Sequence, residues 1–220
     1  MAGWAKSLKW LTVGVGFMAA SMVTSMAASA QEQLAEGKEF QRLKNTQAVE
    51  SGAKIEVIEF YSYGCNHCRD LEEFLGPWTK KLPADVAFKR VPVAFQPAWT
   101  NLGKIYYTLE ALGREDLTPK VFQAIHGANA KLFEEKVFFE WAGNNGLDAA
   151  KVQEMWGSFA INSKMNRAKT LATNYSVDSV PMLFVDGKFK IQPHQLKGSH
   201  KDVPAALDFL IAKARTERKK

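Results

Sequence analysis

The chain has only two cysteines, and they stand three residues apart in Cys65-Asn66-His67-Cys68. A bridge from i to i+3 closes a very short ring, and the stability that a disulfide lends a fold grows with the logarithm of the loop it closes. Stapling is therefore a weak use of this pair. Zinc is weak for another reason: a tetrahedral site takes four ligands. No second C-x-x-C exists, and His126, His194 and His200 stand at spacings that form no familiar ligand pair. No metal is expected. What remains is redox chemistry, with the two sulfurs themselves as the working group.

The residues around the pair say where it sits. Lys54-Ile-Glu-Val-Ile-Glu-Phe-Tyr-Ser-Tyr-Gly64 is rich in strand formers and closed by a small residue, so Ile55 to Tyr61 is expected to be a strand. After the motif Leu71, Phe74 and Leu75 recur at helical spacing until Gly76-Pro77 interrupts. The cysteines then occupy the first turn of a helix that follows a strand. Unpaired N–H groups and the positive end of the helix dipole favour an anion there. Cys65 is the expected attacking sulfur. Glu59 shares the alternation of Ile55 and Val57, which leaves open whether its carboxylate is solvated or buried.

Val86 to Val91 alternates as a second strand, and from Trp99 to about Ala172 the chain is mostly helical, punctuated at Gly113, Gly127 and Gly143 to Gly146. Phe122, Phe133, Phe138, Phe139, Trp141, Trp156 and Phe159 are expected to form the core of that helical part. After Val180-Pro181, Met182 to Val185 reads as a buried strand, Asp186-Gly187 as a two-residue hairpin turn and Lys188 to Ile191 as its partner. A last helix is expected from Val203 to about Ala214. This order is that of an α/β thioredoxin fold with an inserted helical domain. The expected organisation is a thioredoxin-like domain formed by 31–98 and 173–220, with the insertion at 99–172.

The first thirty residues differ in kind. Lys6 and Lys9 precede an apolar run from Trp10 to about Met26, and Ala28-Ser29-Ala30 offers small residues to a signal peptidase, so cleavage is expected between Ala30 and Gln31. Gly14, Gly16, Ser21, Thr24 and Ser25 make the run a poor permanent span. The formal charge of +6 falls once Lys6 and Lys9 leave. Part of the remainder lies in the tail from Lys213 to Lys220, read as a solvated, frayed terminus. No nucleic-acid partner is expected, because no basic face with interleaved aromatics is evident. With 220 residues, 46% of them apolar, the chain can bury a substantial core.

Glu59-Phe60-Tyr61-Ser62-Tyr63-Gly64-Cys65-Asn66-His67-Cys68, together with Ser179-Val180-Pro181-Met182-Leu183-Phe184-Val185-Asp186-Gly187, resembles the DsbA family of periplasmic thiol oxidases. The resemblance implies an enzyme of the periplasm whose Cys65-Cys68 disulfide, with no other cofactor, is donated to unfolded exported proteins carrying free thiols. A quinone-linked membrane reoxidase of the DsbB type would restore it. Carried onto this chain, Cys65 is the exposed nucleophile, Cys68 the buried resolving sulfur, and His67 helps to hold Cys65 as a thiolate. Glu59 matches an acidic residue beneath the site, and Pro181 a cis-proline, with the Val180 backbone left to pair with an extended substrate. The family commonly has Pro where this chain has Asn66, a position that tunes redox strength. An isomerase or reductase of the same fold is the alternative enzyme. A peptide-binding chaperone with an inert bridge is the alternative outside enzymes. Only about two dozen mature residues precede Ile55, so a monomer is expected.

Overall fold

The computed structural model describes residues 1–2 and 34–219. The expected signal segment, with its cleavage point after Ala30, lies outside the described residues. The fold is built outward from β2, Ile55–Tyr61, which is buried residue by residue along its length. A strand covered on both faces reads as a near-continuous apolar run, which its isoleucines, valine, phenylalanine and tyrosine supply. β2 pairs in parallel with β3, Val86–Pro92, and antiparallel with β4, Met182–Val185. β4 turns into β5, Phe189–Ile191, and the short strand β1, Gln41–Arg42, lies at the edge, giving the order β1-β5-β4-β2-β3.

The β4–β5 turn spans Asp186 to Lys188, one residue more than the expected two-residue turn, because Val185 pairs with Phe189; Asp186 and Gly187 are both at positive φ (57° and 62°), and Lys188 N–H donates to the Val185 carbonyl at 3.0 Å. Gly187 is also needed for space, since a side chain there would strike the backbone of Gln47.

Helices cover both faces. α1, Asn66–Thr79, follows β2, and α7, Val203–Arg218, ends the described chain. Leu71 and Leu75 of α1 and Leu207 and Leu210 of α7 pack with Val57 and Val185 in one apolar cluster. Between β3 and β4 come α2 (Pro97–Ala111), α3 (Thr118–Phe122), α4 (Glu135–Asn144), α5 (Ala149–Gly157) and α6 (Phe159–Asn174). Their Leu109, Phe138 and Trp156 share a second cluster with Ile58, Phe60 and Phe184 of the sheet. The helical segment is thus fastened by a core continuous with the sheet. Asp148 caps α5 by accepting from Lys151 N–H at 3.0 Å, and Ser158 caps α6 by accepting from Ile161 N–H at 3.3 Å. No helix among the described residues is long and apolar enough to cross a membrane.

Three further expectations are corrected. α1 does not stop at Gly76-Pro77 but runs through Pro77 to Thr79. Proline inside a helix forfeits a backbone bond, and here the packing of Leu75 and Trp78 in the cluster shared with α7 carries the helix past it. α7 reaches Arg218 rather than fraying after Ala214. Its last turns have fixed partners: Arg215 grips Asp85 at 2.6 and 2.8 Å, and Arg218 pairs with Asp186 and donates to the carbonyls of Ala53 (2.6 Å) and Lys54 (3.0 Å). Among the expected core aromatics, Phe122, Phe138 and Trp156 are buried, but Phe133 and Phe159 are exposed, Phe159 by 86%. Phe159 opens α6 directly after its cap, outside the stripe that packs inward.

Candidate active site

β2 delivers the chain into the loop Ser62-Tyr63-Gly64, which hands over to α1 at Cys65. Ser62 shapes that loop, its hydroxyl accepting from Gly64 N–H (3.1 Å) and its carbonyl from Cys65 N–H (3.0 Å). Cys65 is the N-cap of α1, with extended backbone at φ −100° and ψ 120°, so its sulfur sits where the helix presents unpaired N–H groups. Cys68, one turn on, is 1% exposed. Both thiols are free.

The two sulfurs are held in opposite states. Cys65 is pulled down to about 6, first by the Cys68 thiol donating to it, then by the N–H groups of Cys68 and His67 and the charge on His67, against partial burial. Cys68 is pushed well above the ordinary thiol range, by burial first and then by its bond and proximity to Cys65, with Glu59 adding to it. The Cys65 sulfur also lies 3.4 Å from the carbonyl of Val180, more than a hundred residues away in sequence. The Val180–Pro181 bond is cis, the state that the resemblance implied.

Glu59 is buried, 2% exposed, which settles the question its alternation left open. Its register partner on β3 is Arg90, whose Nε donates to Glu59 Oε2 at 2.9 Å while another guanidinium nitrogen donates to Glu72 Oε2 of α1 at 2.5 Å. Burial pushes Glu59 up to about 7; the Arg90 cation opposes this, and Glu72 and Cys65 reinforce it. Arg90 and Glu72 line a cleft of ≈ 560 Å³ together with Arg69, Gln123 and Asp116. The inner carboxyl therefore connects through Arg90 to a second carboxyl at the wall of an open cleft.

The helical segment grips the active-site loop. His126, on a π-helical turn at Gln123–Gly127, places Nε2 2.7 Å from the Tyr63 carbonyl, and the Tyr63 hydroxyl lies 3.0 Å from Thr118 Oγ1. The Trp99 indole lies so close over Gly64 that a side chain there would collide with it. Asn66 and His67 are exposed at the start of α1. His67 stacks on His200, centroids 5.7 Å apart.

The structure thus brings Cys65, Cys68, His67, Asn66, Val180 and Pro181 to one end of the sheet, with Glu59 beneath. Arg90, Glu72, His126, Trp99 and His200 were not found from the sequence. Arg90 left a trace: acids at Glu56 and Glu59 in one strand face bases at Lys89 and Arg90 in the next, and Glu56 also pairs with Lys89, at 3.0 Å. Among the described residues no group of three or more His, Cys, Asp or Glu side chains could hold a metal ion.

A family model described as DSBA-like thioredoxin domain matches residues 56–201, which take in both cysteines and Val180-Pro181. The chain belongs to this family. The DSBA-like match is accompanied by full-length relatives. The thiol:disulfide interchange protein DsbA of Pseudomonas aeruginosa is 38% identical over 204 residues, covering 92% of this chain and 96% of the relative. The protein of that name from Bordetella parapertussis is 39% identical over 162 residues, 74% of this chain and 78% of the relative. The crystal structure of Pseudomonas aeruginosa DsbA superposes with a TM-score of 0.79 at 38% identity, covering 84% of this chain and 96% of that one. This DSBA-like chain is a thiol–disulfide oxidoreductase with the thioredoxin-like α/β fold expected of it.

Proposed function

We propose that the enzyme works as a dithiol oxidase, donating a Cys65–Cys68 disulfide to exported proteins. One observation carries the reading: a half-buried sulfur held down to about 6 at a helix N-cap, next to a buried sulfur pushed far up. A substrate thiolate attacks Cys65 of the oxidised enzyme, the S–S bond breaks, and Cys68 departs with the electron pair and takes up a proton. A second substrate thiolate then attacks the substrate sulfur of the mixed disulfide and expels Cys65 as a thiolate. Two electrons pass from substrate to enzyme. Because a good anion is a good leaving group, and because stabilising the thiolate stabilises the reduced enzyme, the donation runs forward.

The remaining roles follow from position. His67 contributes positive charge to Cys65, and Asn66, exposed between them, tunes the potential. Glu59, near neutral in its proton affinity and sensed by Cys68, relays the proton that Cys68 takes up, exchanging it with the cleft through the Arg90–Glu72 side. The Val180 backbone, next to Pro181 and facing Cys65, offers a main-chain partner to an extended substrate without reading its side chains. The protein is exported by the segment ending at Ala30, acts in the periplasm as a monomer on unfolded proteins with free thiols, needs no cofactor beyond its own disulfide, and is reoxidised by a quinone-linked membrane partner.

The test is a titration of the reduced protein by thiolate absorbance, with a midpoint expected at about 6. A thiol whose folded value lies below its unfolded value near ~8.5 stabilises the reduced protein fully above ~8.5, and that stability is lost as pH falls through about 6. The oxidised protein has no such group, so the advantage of the reduced form shrinks over that window. Fully expressed it would be about 3 kcal/mol. Screening at a sulfur this open to solvent leaves ~2 kcal/mol, on the order of 40 mV in a two-electron couple. A midpoint near that of a free thiol would remove the driving force and favour an inert bridge.

Replacing Glu59 with Gln removes the group that titrates at about 7 while keeping its shape. The exchange rate is expected to fall by roughly tenfold, less than the ~10²–10⁴-fold of a group that acts directly on the reacting atoms because Glu59 only relays the proton, and to lose its inflection near neutral pH. Stopped-flow rates from pH 5 to 9 check this, and an unchanged profile would take the relay away from Glu59.

A further inference from the structure

The chain leaves β3 at Pro92 and reaches α2 through Val93 to Gln96, and it leaves α6 at Asn174 and reaches Pro181 through Tyr175 to Val180. An open cavity of ≈ 410 Å³ lies beside these two connections, walled by Val93 and Phe95 on one side and by Met165, Ala168, Ala172 and Val177 on the other. A mostly apolar wall and a volume of this size suit an apolar guest. Among the described residues that line it, only Lys169 carries charge. Phe95 leaves a large apolar ring at the rim, 49% exposed. Both walls run on to the reacting sulfur. Phe95 packs on Trp99, with centroids 6.1 Å apart, and Trp99 lies over Gly64, the residue before Cys65. On the other wall Val177 precedes Val180, whose carbonyl is 3.4 Å from the Cys65 sulfur. From Val177 to Val180 the backbone spans at most ~10 Å, the reach of three or four residues of an extended polypeptide.

We propose that this cavity is a substrate subsite: it takes one large apolar side chain from a residue three or four positions away from the substrate cysteine. This rests on the reading of the enzyme as a dithiol oxidase with the Val180 backbone as main-chain partner to an extended substrate. A segment joined through sulfur to Cys65 and paired with Val180 is carried along Asp178 and Ser179 toward Val177. Side chains alternate on an extended chain, so one of the two positions within reach faces the cavity. An unfolded chain still exposes the apolar side chains that its folded form buries. The subsite would therefore favour chains that have yet to form a core, and would do so through bulk and apolarity, without reading a particular sequence.

The experiment uses the oxidised full-length mature protein and unstructured single-cysteine peptides, alike except for one leucine moved stepwise away from the cysteine on either side. A peptide with serine in place of every leucine is the reference. Two peptide thiols reduce one enzyme disulfide, giving a disulfide-joined peptide pair and the dithiol enzyme, and alkylation followed by intact mass reads the second-order rate constant. Leucine three or four residues from the cysteine, on one side, is expected to react about tenfold faster than serine, the scale of burying most of one leucine side chain, and leucine elsewhere by about twofold at most. Thr173→Trp on α6 and Ala94→Trp on the facing connection, both at exposed positions, narrow the cavity from its rim. Each should abolish the leucine preference while the serine peptide reacts as before and the Cys65 thiolate midpoint stays in place. Equal gain from leucine at every position, no gain at any, or a preference that survives both variants overturns the proposal. So does a preference lost only together with a shifted thiolate midpoint, which marks a disturbed active site. If the serine peptide leaves the wild-type enzyme oxidised, the oxidase reading falls and the proposal with it; a serine peptide that reacts while leucine gains nothing sinks the proposal alone.

Discussion

Replacing Cys65 with Ser should lower the rate of catalysed disulfide transfer by on the order of 10³-fold or more, to the uncatalysed background, as loss of a nucleophile does elsewhere. Replacing Cys68 with Ala should fail differently. That variant cannot form the donor disulfide, but its Cys65 thiolate still attacks a disulfide offered to it, and no second sulfur releases the product. A mixed disulfide is expected to accumulate, seen as added substrate mass on the intact protein that disappears with reductant. The contrast follows from burial: Cys65 is reachable and anionic, whereas Cys68 is closed in and holds its proton. Activity surviving in the Ser variant would mean that the cysteines are not the working group.

The second large effect concerns stability. Arg90 is the nearly buried cation between Glu59 and Glu72; burial works against its charge, but the two carboxylates outweigh it and hold its proton more tightly. Replacing it with Leu leaves a buried carboxyl uncompensated, a loss of about 3–5 kcal/mol, on the order of 10 °C in melting temperature for a chain of this size. The sign with pH follows from Glu59. Its folded value, already raised to about 7, rises further without the cation, so the variant must protonate it to fold. The deficit should therefore be largest above neutral pH and shrink as pH falls toward 5. Adding Glu59→Gln should recover part of the loss at pH 8. Denaturant melts at the two pH values measure this, and a pH-independent deficit would point to lost packing instead.

Much of this was legible in the sequence, for local reasons. β2 and β4 fall at the expected boundaries because dense runs of strand formers are closed by turn residues, Ser62-Tyr63-Gly64 in one case and Asp186-Gly187 in the other. The cysteine spacing, the strand before it and Val180-Pro181 were enough to locate the reacting sulfurs. What stayed hidden depends on partners brought from elsewhere in the chain. The burial of Glu59 is decided by α1 and β3 covering it. The basic end of α7 resembled a loose tail because nothing local shows that Asp85 and Asp186 wait for Arg215 and Arg218. His126 and His200 looked like isolated histidines, since their targets, Tyr63 and His67, are separated from them by long stretches of sequence.

The antiparallel pairing of β2 with β4, in which Phe60 stands opposite Met182, acts as a ruler for the chemistry. It measures off the gap between two loops that share no local sequence. Sliding β4 by one residue would carry Val180 about 3.3 Å along the strand and turn alternate side chains to the wrong side. The spacing between sulfur and carbonyl is thus written into the weave of the sheet, out of reach of either loop acting by itself.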